Sequence, residues 1–156
     1  MNPIETYFEL KKEAQETDPG RLLCTYLAYL RALYNIHQQS HWLCQSHGAH
    51  LMFDRIYNEK QTMVDEMAEK IIGVFGKEPI DLKHQASVIQ QIMDKYSGED
   101  HFENSLEAEK GFQELSNKVY GVLKKSGDIT MGLDDMIMAQ FSMSEEAVYL
   151  IKQAKY

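Results

Sequence analysis

The sequence predicts an all-α protein, a bundle of four long amphipathic helices with a long connection between the second and the third. Three observations predict it. Apolar residues recur at three- and four-residue steps over four separate stretches, as on a helix with one buried face. No segment alternates apolar and polar residues with period two, as a half-buried strand would. The 156 residues are 44% hydrophobic and 26% charged, with only 3 Pro and 9 Gly, a composition that excludes disordered, collagenous and low-complexity chains. That length suits a single domain over residues 1–156, with 1–17 as an N-terminal extension.

The first helix opens at Asp18-Pro19, a capping carboxylate followed by a ring tolerated at the first helical position. Its apolar face is Leu22, Leu23, Tyr26, Leu27, Leu30, Leu33 and Tyr34, continuing into His37 and His41. Ser46–Gly48 interrupts the pattern. The second helix is expected from about His50 to Phe75, with Phe53, Ile56, Tyr57, Val64, Met67, Ala68, Ile71 and Ile72 on its apolar side and Gly76 as a stop. Lys77–His101 forms the long connection, and within it LKHQASVIQQIMDKY has a helical spacing of its own. Phe112, Leu115, Val119 and Val122 mark the third long helix, ending at Ser126-Gly127. Thr130 caps a fourth, which carries Leu133, Ile137, Met143, Ala147, Leu150, Ile151 and Ala154. Short links make two antiparallel hairpins, while the long crossover, carrying a short helix, lets the second and third long helices run parallel. That is the topology of a ferritin-like four-helix bundle.

Composition bounds the function. A formal net charge of −8 repels phosphate and anionic lipid. The two cysteines, Cys24 and Cys44, form no disulfide framework or metal finger and suit a reducing compartment. The first ten residues lack a basic start followed by an apolar run, so a cytoplasmic location is expected. The longest apolar runs, Tyr26–Leu30 and Ala147–Ile151, have five residues each, against the ~20 of a membrane span.

The second helix carries His50, Asp54, Asp65 and Glu69, within about 100° of one another around the axis. Imidazole with carboxylates suits iron, manganese or zinc; the competing reading is a solvated charged face. Asp54 and Asp65 lie ~16 Å apart along the axis, too far to share one metal. His50/Asp54 and Asp65/Glu69 would each supply half a site if two such helices from different subunits ran antiparallel about a two-fold axis. His41 is brought to the same end by the short link. His37 reads as a hydrogen-bonded core residue, and His47 as a loop residue, either outer-sphere or exposed. The Glu-x-x-His motif of intrasubunit di-iron bundles is missing; its nearest approach is Asp81-x-x-His84 in the crossover.

The runs His41-Trp42, Gly48, His50-Leu51-Met52-Phe53-Asp54-Arg55-Ile56-Tyr57 and Asp65-Glu66-Met67-Ala68-Glu69-Lys70-Ile71 resemble the signature of the Dps family of mini-ferritins. Its most specific part, His-x3-Asp-x10-Asp-x3-Glu, is matched at His50, Asp54, Asp65 and Glu69. Gly127-Asp128-Ile129-Thr130 extends the similarity, which runs from about residue 20 to the end. The resemblance implies a hollow, dodecameric homo-oligomer with a ferroxidase centre at each end of every two-fold interface. His41, His50 and Asp54 would come from one subunit, with Asp65 and Glu69 of the partner subunit. It implies oxidation of ferrous iron, preferentially with hydrogen peroxide, and storage of ferric mineral.

Trp42 has two readings, a core anchor or a side chain that packs on the site or intercepts radicals. The nine methionines, Met63 and Met67 among them, read as core filler, and no haem is expected. Many family members bind DNA through a Lys-rich tail. Here the first twenty residues have Lys11 and Lys12 against five acidic residues, a net of −3, so DNA binding is not expected. Asp128, Asp134 and Asp135 fall where the family has its three-fold channels; the alternative is a role as helix-start charges. The competing function is a non-catalytic helical shell or scaffold, or a nucleoid-binding protein.

Overall fold

The computed structural model describes residues 18–155, so the expected extension at 1–17, with Lys11 and Lys12, lies outside the described residues. Five helices follow in order: α1 Pro19–Leu43, α2 His47–Phe75, α3 Leu82–Lys95, α4 His101–Ser126 and α5 Met131–Lys155. Each start is set by a short polar side chain that accepts a backbone N–H otherwise left without a partner. Asp18 takes Gly20 N, Ser46 takes Ala49 N, Asp81 takes His84 N, Asp100 takes Glu103 N and Thr130 takes Leu133 N. Gly76 and Gly127 end α2 and α4 with φ of 85° and 76°, backbone that a side chain would strain.

Two details differ from the expected boundaries. Helix α2 begins at His47, about three residues early, because the Ser46 hydroxyl caps it and the first turn tolerates Gly48. The Asp81-x-x-His84 pattern is a helix cap, with Asp81 also bound to Arg21 at 2.8 Å; the His84 N–H first, and then the Arg21 guanidinium, hold its carboxyl below the usual range.

The long helices pack in a ring: α1 on α2, α2 on α5, α5 on α4 and α4 on α1, with α3 laid along α1. Cross-helix contacts give the directions. His41 meets His50 while Tyr34 meets Tyr57, so α1 and α2 are antiparallel. Ser40 meets Ser105 and Tyr26 meets Phe112, so α1 and α4 are antiparallel. Helices α2 and α4 therefore run parallel across the ring.

Helix α1 is buried almost all round from Leu22 to Leu33, because α2, α3 and α4 all cover it. Tyr29 donates to the Ala108 carbonyl and to the Tyr96 hydroxyl. Both hydroxyls lie where a Cβ at Gly111 would fall, so only glycine fits there. Ile72, expected on the apolar face, is exposed.

The core falls into two apolar clusters. The larger runs through Leu22–Ile36, Met63–Ile71, Ala108–Leu123 and Leu133–Ile137. The smaller holds Phe53, Ile56, Leu106, Ala147 and Ile151. Between them lies a buried polar layer of His37, Lys60, Glu109 and Ser144. Met63 and Met67 fill the core as expected, but Met93, Met131 and Met138 are exposed, so core filling does not account for all the methionines.

Candidate metal centre

The α1–α2 corner brings His41 and His50 together. Their rings stack with centroids 3.9 Å apart and planes 26° from parallel. Each Nδ1 contacts the other residue's backbone carbonyl, His41 to His50 at 2.9 Å and His50 to His41 at 3.0 Å. A carbonyl only accepts, so both Nδ1 atoms carry the proton, which leaves Nε2 as the nitrogen each ring can offer a metal.

Asp54 stands one turn beyond His50 and is half-buried. The Tyr57 hydroxyl donates to its Oδ1 at 3.3 Å. The Tyr57 ring meets His41 edge-on at 5.2 Å and Tyr34 at 5.6 Å. Burial, reinforced by the Asp54 charge, raises the Tyr57 hydroxyl above its ordinary value, so it remains a donor. Sequence reasoning placed Tyr57 on the apolar face and missed this polar role. Its signal was the three-residue step from Asp54, which makes the two neighbours on a helix surface.

Asp65 and Glu69 are exposed farther along the same helix and make no hydrogen bond or ion pair among the described residues. Asp54 and Asp65 remain ~16 Å apart along α2. Among the described residues, no three His, Cys, Asp or Glu side chains converge on a point where a metal could bind. The chain therefore brings His41 and His50 together, with Asp54 one helical turn beyond His50, and does not bring Asp54, Asp65 or Glu69 into one cluster with them.

Apolar surface flanks the imidazoles. Trp42 is 67% exposed, Leu51 55%, and Leu43 is exposed beside them. The core-anchor reading of Trp42 is overturned, because the last turn of α1 carries it outside the bundle. His47 is exposed at the first position of α2 rather than in a loop. Cys44 is half-buried, its thiol donating to the His41 carbonyl at 3.4 Å and raised by burial, which keeps it protonated. Asp134 sits in the first turn of α5 with a buried, unpartnered Oδ1, while Asp128 and Asp135 are exposed.

His37 is fully buried and hydrogen-bonded to Glu109 at 2.7 Å, as expected of a core histidine. Burial lowers its pKa against the pull of Glu109, which keeps the ring neutral. Burial alone would raise the Glu109 carboxyl, but Lys60 and His37 outweigh it and hold it at about 2.

This bundle belongs to a known class: the family model for the ferritin-like domain matches residues 21–148, and the chain belongs to that family. Its fold is also that of a Dps. The X-ray structure of Dps from Thermosynechococcus elongatus superposes with a TM-score of 0.71 at 16% identity, covering 88% of this chain and 90% of that one. No curated protein matches the chain. No described helix is long and apolar enough to cross a membrane.

Proposed function

We propose that this chain is a Dps-like ferroxidase and iron-storage protein, working in the cytoplasm as a closed homo-oligomer, a dodecamer by resemblance. Ferrous iron is its substrate and ferric mineral its cargo. The observation that carries the reading is the His41–His50 pair, whose reciprocal backbone bonds leave both Nε2 atoms unused, with Asp54 one helical turn beyond His50. Asp65 and Glu69 of the partner subunit complete the set across a two-fold axis, and Trp42, Leu43 and Leu51 supply apolar surface for that contact.

The donor set fits the reaction. Imidazoles hold ferrous iron, and carboxylates stabilise the additional positive charge of the ferric product. Each ferrous ion gives up one electron. Hydrogen peroxide takes up two electrons and two protons, its O–O bond breaks, and two waters form. Peroxide and ferrous iron are thus consumed together, which suppresses hydroxyl radicals. Asp128, Asp134 and Asp135 line the iron entry where three subunits meet, concentrating cations by their summed charge.

The test adds ferrous iron and peroxide to the purified protein. A soluble ferric absorbance is expected at a rate well above that of the protein-free control. A precipitate matching that control would leave a non-catalytic shell as the function.

A further inference from the structure

Four buried polar side chains, one from each long helix, lie at one level of the bundle: His37 of α1, Lys60 of α2, Glu109 of α4 and Ser144 of α5. They meet on Glu109. Its Oε1 accepts from His37 Nε2 at 2.7 Å and from Lys60 Nζ at 2.8 Å, and its Oε2 accepts from Ser144 Oγ at 2.5 Å. The layer falls between the two apolar clusters along each helix. On α2, Phe53 and Ile56 of the smaller cluster precede Lys60, while Met63, Met67 and Ile71 of the larger one follow it. On α4, Leu106 of the smaller cluster precedes Glu109 and Phe112 of the larger follows, with Ala108 at the boundary. On α5, Ile137 lies before Ser144, and Ala147 and Ile151 lie after it. The smaller end is otherwise tied at the surface, by Lys155 to Glu103 at 3.0 Å and by Arg55 to Glu146 at 2.8 Å. Exposed pairs of this kind contribute little.

We propose that the polar layer divides the bundle into two parts that open separately: the smaller part, with the α1–α2 corner and its histidine pair, opens as a unit while the larger part stays folded. Apolar contacts that run unbroken through a core make its unfolding all-or-none. Here they are interrupted by Glu109 and its partners. Opening the smaller part as far as the layer brings water to a buried ammonium and a buried carboxylate, which regain hydration. It also brings water to His37 Nδ1, a buried atom without a partner in the closed bundle. Opening past the layer exposes Met63, Phe112 and the rest of the larger cluster with no such return. The layer is therefore where opening stops. Cys44 and Met52, on either side of the corner, pack on the smaller cluster, so the corner moves with it. The reciprocal bonds of His41 and His50 exist only while this end is closed. The division stands whether or not these imidazoles bind iron.

The test is amide hydrogen exchange on the full chain in its native assembly, under conditions where the rate reports the opening equilibrium. Amides of residues 53–59, 105–107 and 147–151 are expected to share one opening, with protection about tenfold or more below that of residues 63–71 and 112–123. Leu123→Ala, in the larger cluster, should speed the second set by roughly thirtyfold or more. It should leave the first set unchanged, because Leu123 stays packed in the partly opened form; Val119→Ala serves if that chain does not fold. Ile151→Ala, in the smaller cluster, should speed the first set in α2 and α4 as well as in α5. Equal protection throughout, or a Leu123→Ala that speeds both sets alike, makes the bundle one cooperative unit and overturns the proposal. An Ile151→Ala effect confined to α5 is fraying of one helix and also overturns it. Replacing the layer with Lys60→Met, Glu109→Leu and His37→Leu is expected to join the clusters, so that Leu123→Ala then speeds both sets. A first set still unmoved in that background overturns the layer as the boundary; if that chain does not fold, the Leu123 and Ile151 variants decide alone.

Discussion

His41 and His50 lock each other in place: each imidazole donates from Nδ1 to the other's backbone carbonyl, at 2.9 and 3.0 Å, across the α1–α2 corner. The pairing ties ligand geometry to the fold, because the ring that positions one Nε2 is itself held by the backbone of the next helix. A metal meeting these rings loses little entropy in ordering them.

If Asp65 and Glu69 complete the centre, Asp65→Ala with Glu69→Ala abolishes fast iron oxidation and leaves the far-ultraviolet dichroism nearly unchanged. Both side chains are exposed and without partners among the described residues, so their loss empties no core. Wild-type rates in the double variant would end the ligand assignment.

Trp42 and Leu51, each next in sequence to one of the paired histidines, present exposed apolar surface. Light scattering is expected to give a mass that is a multiple of 18.1 kDa. Trp42→Glu should shift the population toward smaller species, by about 2 kcal/mol per contact. A parent protein that scatters as a monomer at working concentration would remove both the shell and the shared site.

If His41 and Asp54 bind iron, Tyr57 positions them without touching it. Tyr57→Phe keeps the ring against His41 but removes the hydrogen bond to Asp54 Oδ1. Ferrous binding measured anaerobically should weaken by roughly tenfold or less, with unchanged Tm. A Tm that drops while iron affinity holds would make Tyr57 a packing residue only.

Stability should fall on acidification in two stages. His37 is held below its ordinary 6.5, so the unfolded chain takes up that proton first and stability declines once the pH drops below that value. Glu109 is held at about 2 against an ordinary 4.5; its contribution is complete above the ordinary value and is lost as the pH falls through the lower one. Together the two stages amount to a few kcal/mol, on the order expected for buried groups. Urea midpoints at fixed protein concentration from pH 8 down to about 2 measure both stages, and a flat profile below pH 6.5 would contradict them.

If the acidic residues at the start of α5 admit iron, Asp134→Asn with Asp135→Asn slows mineral growth at low ionic strength and leaves the ferroxidase ligands intact. The difference should shrink as salt is raised. Growth at the parent rate in low salt would return these residues to helix-start charges.

The sequence by itself determined the helices and their order, since apolar spacing and polar caps act over three or four residues and are written locally. Asp18, Thr130, Gly76 and Gly127 were all legible as starts and stops for that reason. The narrow face bearing His50, Asp54, Asp65 and Glu69 was legible too, because helical geometry converts spacing directly into direction. Tertiary structure alone decided which polar groups meet. His37, Lys60, Glu109 and Ser144 come from four different helices, and no local pattern distinguishes a lysine bound for the core from one bound for solvent. Lys60 is buried because Glu109 neutralises it across the bundle, an attraction that exists only once the helices have packed. The same holds for Trp42. Its place in sequence beside His41 is fixed, but its exposure follows from where α1 ends relative to the bundle, which is set by packing over the whole chain.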